Sequence, residues 1–168
     1  MNETVEIVAE NAYNWGPALA ILGALLAATL GGIGSTLGVA AAGKAAAGVT
    51  AEKPEAFGKL LVLEALPGSQ GIYGLIGTFL VIAFFTIADL TTEQGFQIFL
   101  ACLPLAFTAL FSGVLQGKVA VAGANIAAKN PAEAGKAIVL AAIVETFAIL
   151  GLLSSFLLLN DIKGAISA

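Results

Sequence analysis

One acidic side chain stands apart from the others because it lies in the middle of a long apolar run. Glu145 is surrounded by Ala, Ile, Val, Thr and Phe residues over the length of a membrane helix. An ionised carboxylate at the centre of a bilayer costs at least about 2.5 kcal/mol, and more when it has no partner. Acids in such positions bind or move ions, so Glu145 is the first functional candidate.

Uncharged polar residues occur at comparable depth in two other apolar runs. They are Ser69, Gln70 and Tyr73 in one run and Gln116 in the next. Together with Glu145 they supply a carboxylate, two amide oxygens and a hydroxyl, which are ligands for a hard cation rather than a soft one. The alternative is that these polar side chains only form hydrogen bonds between helices. Two glutamines and a carboxylate exceed what packing needs, so a cation site is the favoured interpretation.

A proline precedes the polar cluster and strengthens this prediction. Pro67 has no amide hydrogen, so the carbonyl of Leu63 loses its usual helical donor. The same disturbance makes neighbouring carbonyls such as that of Leu66 available as oxygen ligands.

Other features of the sequence are weaker functional candidates. Glu64 is a second acid, one to two turns from Ser69, and either lies on an access path or extends to the headgroup region, the second being favoured. Gly38–Lys44 matches G-x-x-x-x-G-K, but Ala45 follows and no strand precedes it, so it is not a phosphate-binding loop. The chain has no histidine and a single cysteine, which excludes a histidine-ligated zinc site and a Ser/His/Asp triad.

Composition places the chain in a membrane. It has 168 residues, 59% of them hydrophobic and 11% charged, with a mean hydropathy of +0.99. Seven Lys, no Arg and eleven acids leave no basic surface, so a nucleic-acid partner is not expected. Acids at Glu3, Glu6 and Glu10 stand where a signal peptide would be positive, so we expect the first apolar stretch to be retained.

Four apolar runs are long enough to cross a bilayer, which takes about 20 residues. They lie at 16–47, 56–88, 95–127 and 132–159 and predict an all-α protein with four transmembrane helices. The expected organisation is an extracytoplasmic segment 1–15, a first hairpin 16–88, an extracytoplasmic loop 89–94, a second hairpin 95–159 carrying Glu145, and a C-terminal tail 160–168.

The lysines predict the orientation. Six of them flank the first and third loops, and Lys163 alone lies at the other end. By the positive-inside rule the first and third loops are cytoplasmic and both termini are extracytoplasmic in a multi-pass protein of the cell membrane. Tyr13 and Trp15 then lie where an outer aromatic anchor belongs.

The two hairpins are related by an internal repeat. A gapless shift of 77 residues aligns Pro54 with Pro131 and Lys59 with Lys136, followed by further apolar and glycine matches. Glu145 aligns with Gly68, so only the second hairpin has the central carboxylate. The first and third helices are rich in small residues and suit a crowded inner wall, although ordinary packing within a single bundle explains them equally well.

Three segments together resemble a known family. Residues 66–74, 116–118 and 144–146 are similar to the rotor-ring (c-ring type) proteolipids of V-type ATPases, and most of all to the bacterial sodium-translocating kind. The resemblance covers nearly the whole chain. It implies a homo-oligomeric ring of identical subunits in lipid, without a catalytic site of its own, that turns while a separate soluble head hydrolyses or makes ATP.

The resemblance also implies a site and partners. The family binds sodium with residues matched by Glu145, Gln70, Gln116, the Ser69 hydroxyl and the Leu66 carbonyl, while the tyrosine matched by Tyr73 holds the carboxylate. Its partners are a stator subunit that supplies an arginine and central-stalk subunits at the cytoplasmic face. This sequence departs from the family at three positions, with Ser69 for Thr, Phe147 for Tyr and Glu64 for Gln.

Three alternatives stay open. A rotor ring with a proton as the coupling ion needs only a carboxylate and one hydrogen-bond partner, which leaves the extra oxygens unexplained. A small four-helix multidrug transporter would have aromatic residues around its acid to hold a lipophilic cation. A membrane scaffold would not need the buried acid.

Overall fold

Four long apolar helices make up most of the chain in the computed structural model, which describes residues 13–167. They run Gly16–Glu52, Pro54–Phe84, Thr92–Lys129 and Pro131–Ser167, and are called spans 1 to 4. Spans 1 and 2 form hairpin 1, and spans 3 and 4 form hairpin 2. Each is longer than the roughly 20 residues that cross a bilayer. The predicted all-α membrane fold with four transmembrane helices is confirmed.

Spans 2 and 4 each begin with a short 3₁₀ turn. The turns are Pro54–Ala56 and Pro131–Glu133, and the proline lies in the first turn, where its missing amide hydrogen costs no helical bond. The α-helices that follow begin at Phe57 and Ala134. Turns and helix starts therefore repeat at the same shift of 77 residues that the sequence shows.

Three of the four helices are longer than the apolar runs that predicted them. Span 1 reaches Glu52 rather than residue 47, span 3 is longer at both ends, and span 4 reaches Ser167 rather than residue 159. Residues 160–167, expected as a tail, thus continue the helix. Polar residues such as Asn160 and Asp161 mark where the apolar layer ends, whereas backbone hydrogen bonding continues into water.

Span 2 is the exception and ends early. Its last helical residue is Phe84, and Phe85 and Thr86 are extended. The Phe85 side chain is buried in the apolar core at this end of the bundle, which fixes the turn. Span 3 then starts with a capping box in which the side chains of Thr91 and Gln94 each accept a hydrogen bond from the other's backbone amide. The connection is therefore 85–91 instead of 89–94.

Spans 1 and 3 pack closely along glycines. A Cβ on Gly34 would lie 2.5 Å from the Leu110 carbonyl oxygen, and one on Gly113 would lie 2.6 Å from the Gly34 carbonyl carbon. Only glycine permits this approach. Spans 1 and 3 are also more buried than spans 2 and 4, whose Leu, Ile and Phe side chains face outward. This burial is expected on both explanations of the small residues, a crowded inner wall and ordinary packing within a single bundle.

The first and third loops lie at the same end of the bundle. The Lys53 ammonium donates to the Ala128 carbonyl, and the Lys59 ammonium donates to the Pro131 carbonyl at 2.5 Å. Lys163 lies at the opposite end, 4.6 Å from the centroid of a phenylalanine ring in span 2. The two ends therefore differ in lysine content as the sequence predicts.

The start of span 1 is fixed by contacts with the start of span 3. Asn14 Nδ2 donates to the Leu90 carbonyl at 2.8 Å, and the Trp15 amide donates to Thr92 Oγ1 at 3.1 Å. Tyr13 and Trp15, the expected aromatic anchor, are exposed and meet edge to face with ring centroids 4.7 Å apart. The rest of the expected N-terminal segment, 1–12, lies outside the described residues.

Candidate cation-binding site

The helix of span 2 is interrupted at Pro67, as the sequence predicts. Residues Leu66–Gly68 form a 3₁₀ turn that includes Pro67, and the α-helix resumes at Ser69. The Leu66 carbonyl accepts the Ser69 amide and also the Ser69 hydroxyl, the latter at 3.0 Å. Two of the predicted oxygen ligands are therefore held together by the interruption.

The two glutamines meet between the hairpins. Both are fully buried, and Gln70 Nε2 donates to Gln116 Oε1 at 2.6 Å. Gln116 Nε2 in turn donates to the Ala141 carbonyl on span 4 at 3.1 Å. Ala141 lies one helical turn before Glu145, so this network connects both predicted amide ligands to the helix that carries the acid.

One oxygen of the network has no donor. Gln70 Oε1 is buried and makes no hydrogen bond within residues 13–167. A buried acceptor left without a partner costs about 1–3 kcal/mol. A bound cation would remove that cost, so the donor set fits a hard cation that arrives as cargo.

Tyr73 reaches across from span 2 to the acid on span 4. Its hydroxyl donates to Glu145 Oε1 at 2.5 Å, and both residues are half-buried. No hydrogen bond joins this carboxylate to either glutamine in the described part of the chain. The salt bridge found there, Lys136–Glu133, belongs to the start of span 4. A single hydroxyl donor thus orients a carboxylate that has no cationic partner among residues 13–167.

Two serines that were not predicted as site residues extend the network. Ser112 accepts from Gln70 Nε2 at 3.0 Å and donates to the Val144 carbonyl at 3.1 Å. Ser35 donates to the Gly68 carbonyl at 3.2 Å and accepts a backbone amide of span 2 at 2.7 Å. Ser35 and Ser112 are related by the shift of 77, which was the available signal, although both are residues typical of helix packing.

Glu64 is not part of this cluster. It is half-buried, and it packs against span 1, where a Cβ on Gly43 would lie 2.7 Å from Glu64 Oε1. Phe147, the position where the resembling family has a tyrosine, is 61% exposed on span 4. The structure therefore brings together Gln70, Gln116 and Ser112, separately pairs Tyr73 with Glu145 and Ser69 with Leu66, and leaves Glu64 outside.

Comparison with known proteins identifies the family of the chain. Residues 22–81 and 99–158 each match the family of the ATP synthase C-subunit. The chain belongs to the ATP synthase C-subunit family. The two matched stretches begin and end 77 residues apart, so each hairpin is one copy of the family's unit, in agreement with the internal repeat.

Two relatives narrow the comparison. The V-type sodium ATPase subunit K of Enterococcus hirae is 49% identical over 146 residues, which cover 86% of this chain and 92% of that protein. The A-type ATP synthase subunit K of Methanocaldococcus jannaschii is 38% identical over 141 residues, which cover 84% of this chain and 61% of that protein. These findings confirm the resemblance seen in the sequence, and with it a non-catalytic, ion-translocating membrane subunit.

Proposed function

We propose that this chain is a rotor-ring subunit of a V-type ATPase and that each copy carries one sodium ion at Glu145. The observation that supports sodium most strongly is the unpartnered, buried Oε1 of Gln70. A proton site needs a carboxylate and one partner, which Glu145 and Tyr73 already provide. A larger cation would give the additional amide oxygen a partner. The name of the Enterococcus hirae relative points to the same ion.

The ligands of the proposed sodium site come from three spans. Span 2 supplies the Leu66 carbonyl, the Ser69 hydroxyl and Gln70 Oε1, span 3 supplies Gln116, and span 4 supplies Glu145. All are oxygen atoms, as a hard cation prefers, and one carboxylate balances one positive charge. Tyr73 orients the carboxylate by its hydrogen bond.

In the proposed mechanism, Glu145 must be neutralised before the subunit can rotate through the bilayer. A charged carboxylate cannot face lipid without a large cost, whereas a carboxylate paired with sodium can rotate through the bilayer. An arginine from a stator subunit displaces the ion by pairing with Glu145, and offset half-channels let the ion leave on one side and load from the other. The chain contains no arginine, so this cation must come from a partner.

In the proposed mechanism, a ring of subunits combines the energy of several ion movements to match the free energy of ATP hydrolysis. Moving one charge across 100 mV is worth about 2.3 kcal/mol, so several ions must be combined for each ATP. Identical subunits in heterologous contact form a closed ring when the rotation closes. In the proposed orientation the lysine-rich end, with Lys53 and Lys129, is cytoplasmic and meets the central stalk.

A proton-carrying ring is the second candidate, and the Tyr73–Glu145 hydrogen bond favours it, because that bond alone can hold a protonated carboxyl group. The other alternative, a small cation-coupled multidrug transporter, is not supported, because the chain belongs to the ATP synthase C-subunit family. It differs from both rings in size.

Two measurements test the proposal. Particle mass in mild detergent should be many times the 16.8 kDa of the chain, whereas a transporter would be a monomer or dimer. In the reconstituted ATPase, Glu145→Gln should abolish sodium transport and sodium-stimulated ATP hydrolysis while the ring still assembles. Sodium pumping retained by the Glu145→Gln enzyme would refute the assignment of the carrier.

A further inference from the structure

The side-chain amide of Gln70 has its nitrogen and its oxygen in different surroundings. Nε2 donates to Ser112 Oγ at 3.0 Å and to Gln116 Oε1 at 2.6 Å, which uses both of its hydrogens. Oε1 is buried and has no hydrogen-bond partner within residues 13–167. A half-turn of the amide would exchange the two atoms, so the partners of the nitrogen decide which atom is left free for an ion.

Gln116 presents an oxygen to Gln70 because its own amide is fixed by span 4. Its Nε2 donates to the Ala141 carbonyl at 3.1 Å, and a carbonyl can only accept. Oε1 of Gln116 is therefore the atom that meets Gln70. This oxygen is also a ligand in the proposed sodium site, so a bound cation competes for it and weakens its hold on the Gln70 amide.

Ser112 presents an acceptor to Gln70 for an independent reason. A serine hydroxyl has one hydrogen, and that of Ser112 is donated to the Val144 carbonyl at 3.1 Å. Only lone pairs remain for Gln70, so the Gln70 atom that faces Ser112 must be the nitrogen. Gln70 is fully buried and Ser112 is 4% exposed, so water does not compete for this bond. Ser112 lies outside the proposed ligand set, and its hold on Gln70 is not shared with the ion.

The equivalent serine of hairpin 1 has different partners. Ser35, 77 residues before Ser112, donates to the Gly68 carbonyl at 3.2 Å and accepts the Gly71 amide at 2.7 Å. Both partners are backbone groups of span 2, so Ser35 joins two helices as an ordinary packing serine does. The repeat has a serine at both positions, but only Ser112 contacts a side-chain amide of the proposed site.

We propose that Ser112 is a positioning residue of the cation site, which holds the Gln70 amide with its oxygen free for the ion. It does so by accepting from Gln70 while it donates to the residue before Glu145 on span 4. The proposal rests on the sodium site of the proposed function and adds to it a residue that is not a ligand. Without the Ser112 acceptor, sites with the amide nitrogen turned toward the ion become more populated, and the apparent affinity for sodium falls.

Equilibrium binding of radioactive sodium to the purified ring tests this role. Ser112→Ala should raise the dissociation constant about three- to tenfold, the effect of one buried hydrogen bond. Ser112→Cys offers only a weak acceptor and should raise it as well. Ser155→Ala is the matched control, because Ser155 is a buried serine whose hydrogen bond, from the Leu105 amide, lies more than two helical turns past Glu145. The Ser155→Ala ring should bind sodium with native affinity.

A double-mutant cycle shows whether Ser112 acts through Gln70. In a Gln70→Leu background the amide is absent, so Ser112→Ala should change the dissociation constant by less than about twofold. The same fold-loss in both backgrounds would overturn the proposal, because Ser112 would then act on another part of the site. Native affinity in both single Ser112 variants would also overturn it while leaving the sodium site in place. A native ring that binds no sodium would refute the proposed function itself.

Discussion

At the scale of single residues, the hydroxyl of Tyr73 holds the carboxylate of Glu145 in place across the boundary between the hairpins. The bond is 2.5 Å long, and among the described residues no other side chain donates a hydrogen bond to this carboxylate. A hydrogen bond to a charged group contributes about 1.5–3 kcal/mol. Tyr73 therefore has a positioning role in the proposed site without being a ligand.

Replacing Tyr73 with Phe should lower sodium affinity by about tenfold or more, because about 1.4 kcal/mol of positioning energy corresponds to a factor of ten. Equilibrium binding of radioactive sodium to the purified ring measures this. Tyr13→Phe is the control, since Tyr13 is exposed at the start of span 1. Unchanged affinity in the Tyr73→Phe ring would mean that the hydroxyl does not position the carboxylate for the ion.

Gln70 contributes both a free oxygen and two donated hydrogen bonds. Gln70→Leu should weaken sodium binding by at least about tenfold, since a ligand is lost and buried partners become unpaired at about 1–3 kcal/mol each. The apparent proton affinity of Glu145 should change less. Gln97→Leu is the control, because Gln97 is exposed near the start of span 3. Equal losses for sodium and protons would remove Gln70 from the ligand set.

The sequence predicted the residue types of the proposed site but only part of the hydrogen bonding between them. Glu145, Gln70 and Gln116 stand out because polar groups in apolar runs are costly and few. The bond between Gln70 and Ser112 was not predictable, since serine is equally common in plain helix contacts. The direction in which each amide points depends on tertiary packing, which periodicity does not encode.

At the scale of the helices, two prolines have different local effects. Pro67 converts one turn of span 2 to 3₁₀ geometry, whereas Pro104 lies inside the continuous helix of span 3. The amide of Leu105, next to Pro104, donates to Ser155 Oγ of span 4 at 3.1 Å. A side chain from a neighbouring helix thus satisfies a backbone group at a proline, as membrane helices require.

Ser155→Ala should destabilise the protein by about 0.5–1.5 kcal/mol, because the buried Leu105 amide loses its hydrogen bond to a side chain of span 4. The midpoint of thermal unfolding in detergent measures the effect. Ser154→Ala is a matched control, since Ser154 is exposed and bonds to the Leu150 carbonyl within its own helix. If both variants unfold at the same temperature, Ser155 has no structural role at the proline.

The number of helices was predictable, but their ends were not. Apolar runs report the thickness of the hydrocarbon layer, about 30 Å, while helices continue wherever backbone hydrogen bonds can form. Span 4 therefore extends beyond its apolar run to Ser167, and span 2 stops at Phe84 because Phe85 turns into the core.

At the scale of the whole molecule, duplication has produced two hairpins that are alike in backbone and unlike in chemistry. Hairpin 2 has Glu145 where hairpin 1 has Gly68, so the chain has one candidate ion carrier per two family units. Glu145 of hairpin 2 accepts a hydrogen bond from Tyr73 of hairpin 1, and Gln116 of hairpin 2 accepts one from Gln70 of hairpin 1. The repeat itself was visible in the sequence, whereas the face that each hairpin presents to the other required the structure.

The proposed orientation predicts which end is accessible from outside the cell. In a Cys102→Ala background, Ser167→Cys should react with an impermeant maleimide on intact cells or right-side-out vesicles, because the end poor in lysine is extracytoplasmic. Ala132→Cys, at the exposed start of span 4 next to the third loop, should react only after permeabilisation. The reverse pattern would invert the orientation.

The central claim is that Glu145 binds sodium in competition with a proton, and carbodiimide labelling of the purified ring tests it most directly. The reagent reacts with a protonated carboxyl group, so the rate at Glu145 should fall in millimolar sodium, and this protection should fade at low pH. Peptide mass spectrometry assigns the modification to Glu145. Labelling of Glu145 at a rate indifferent to sodium would contradict the account and identify a proton-carrying ring.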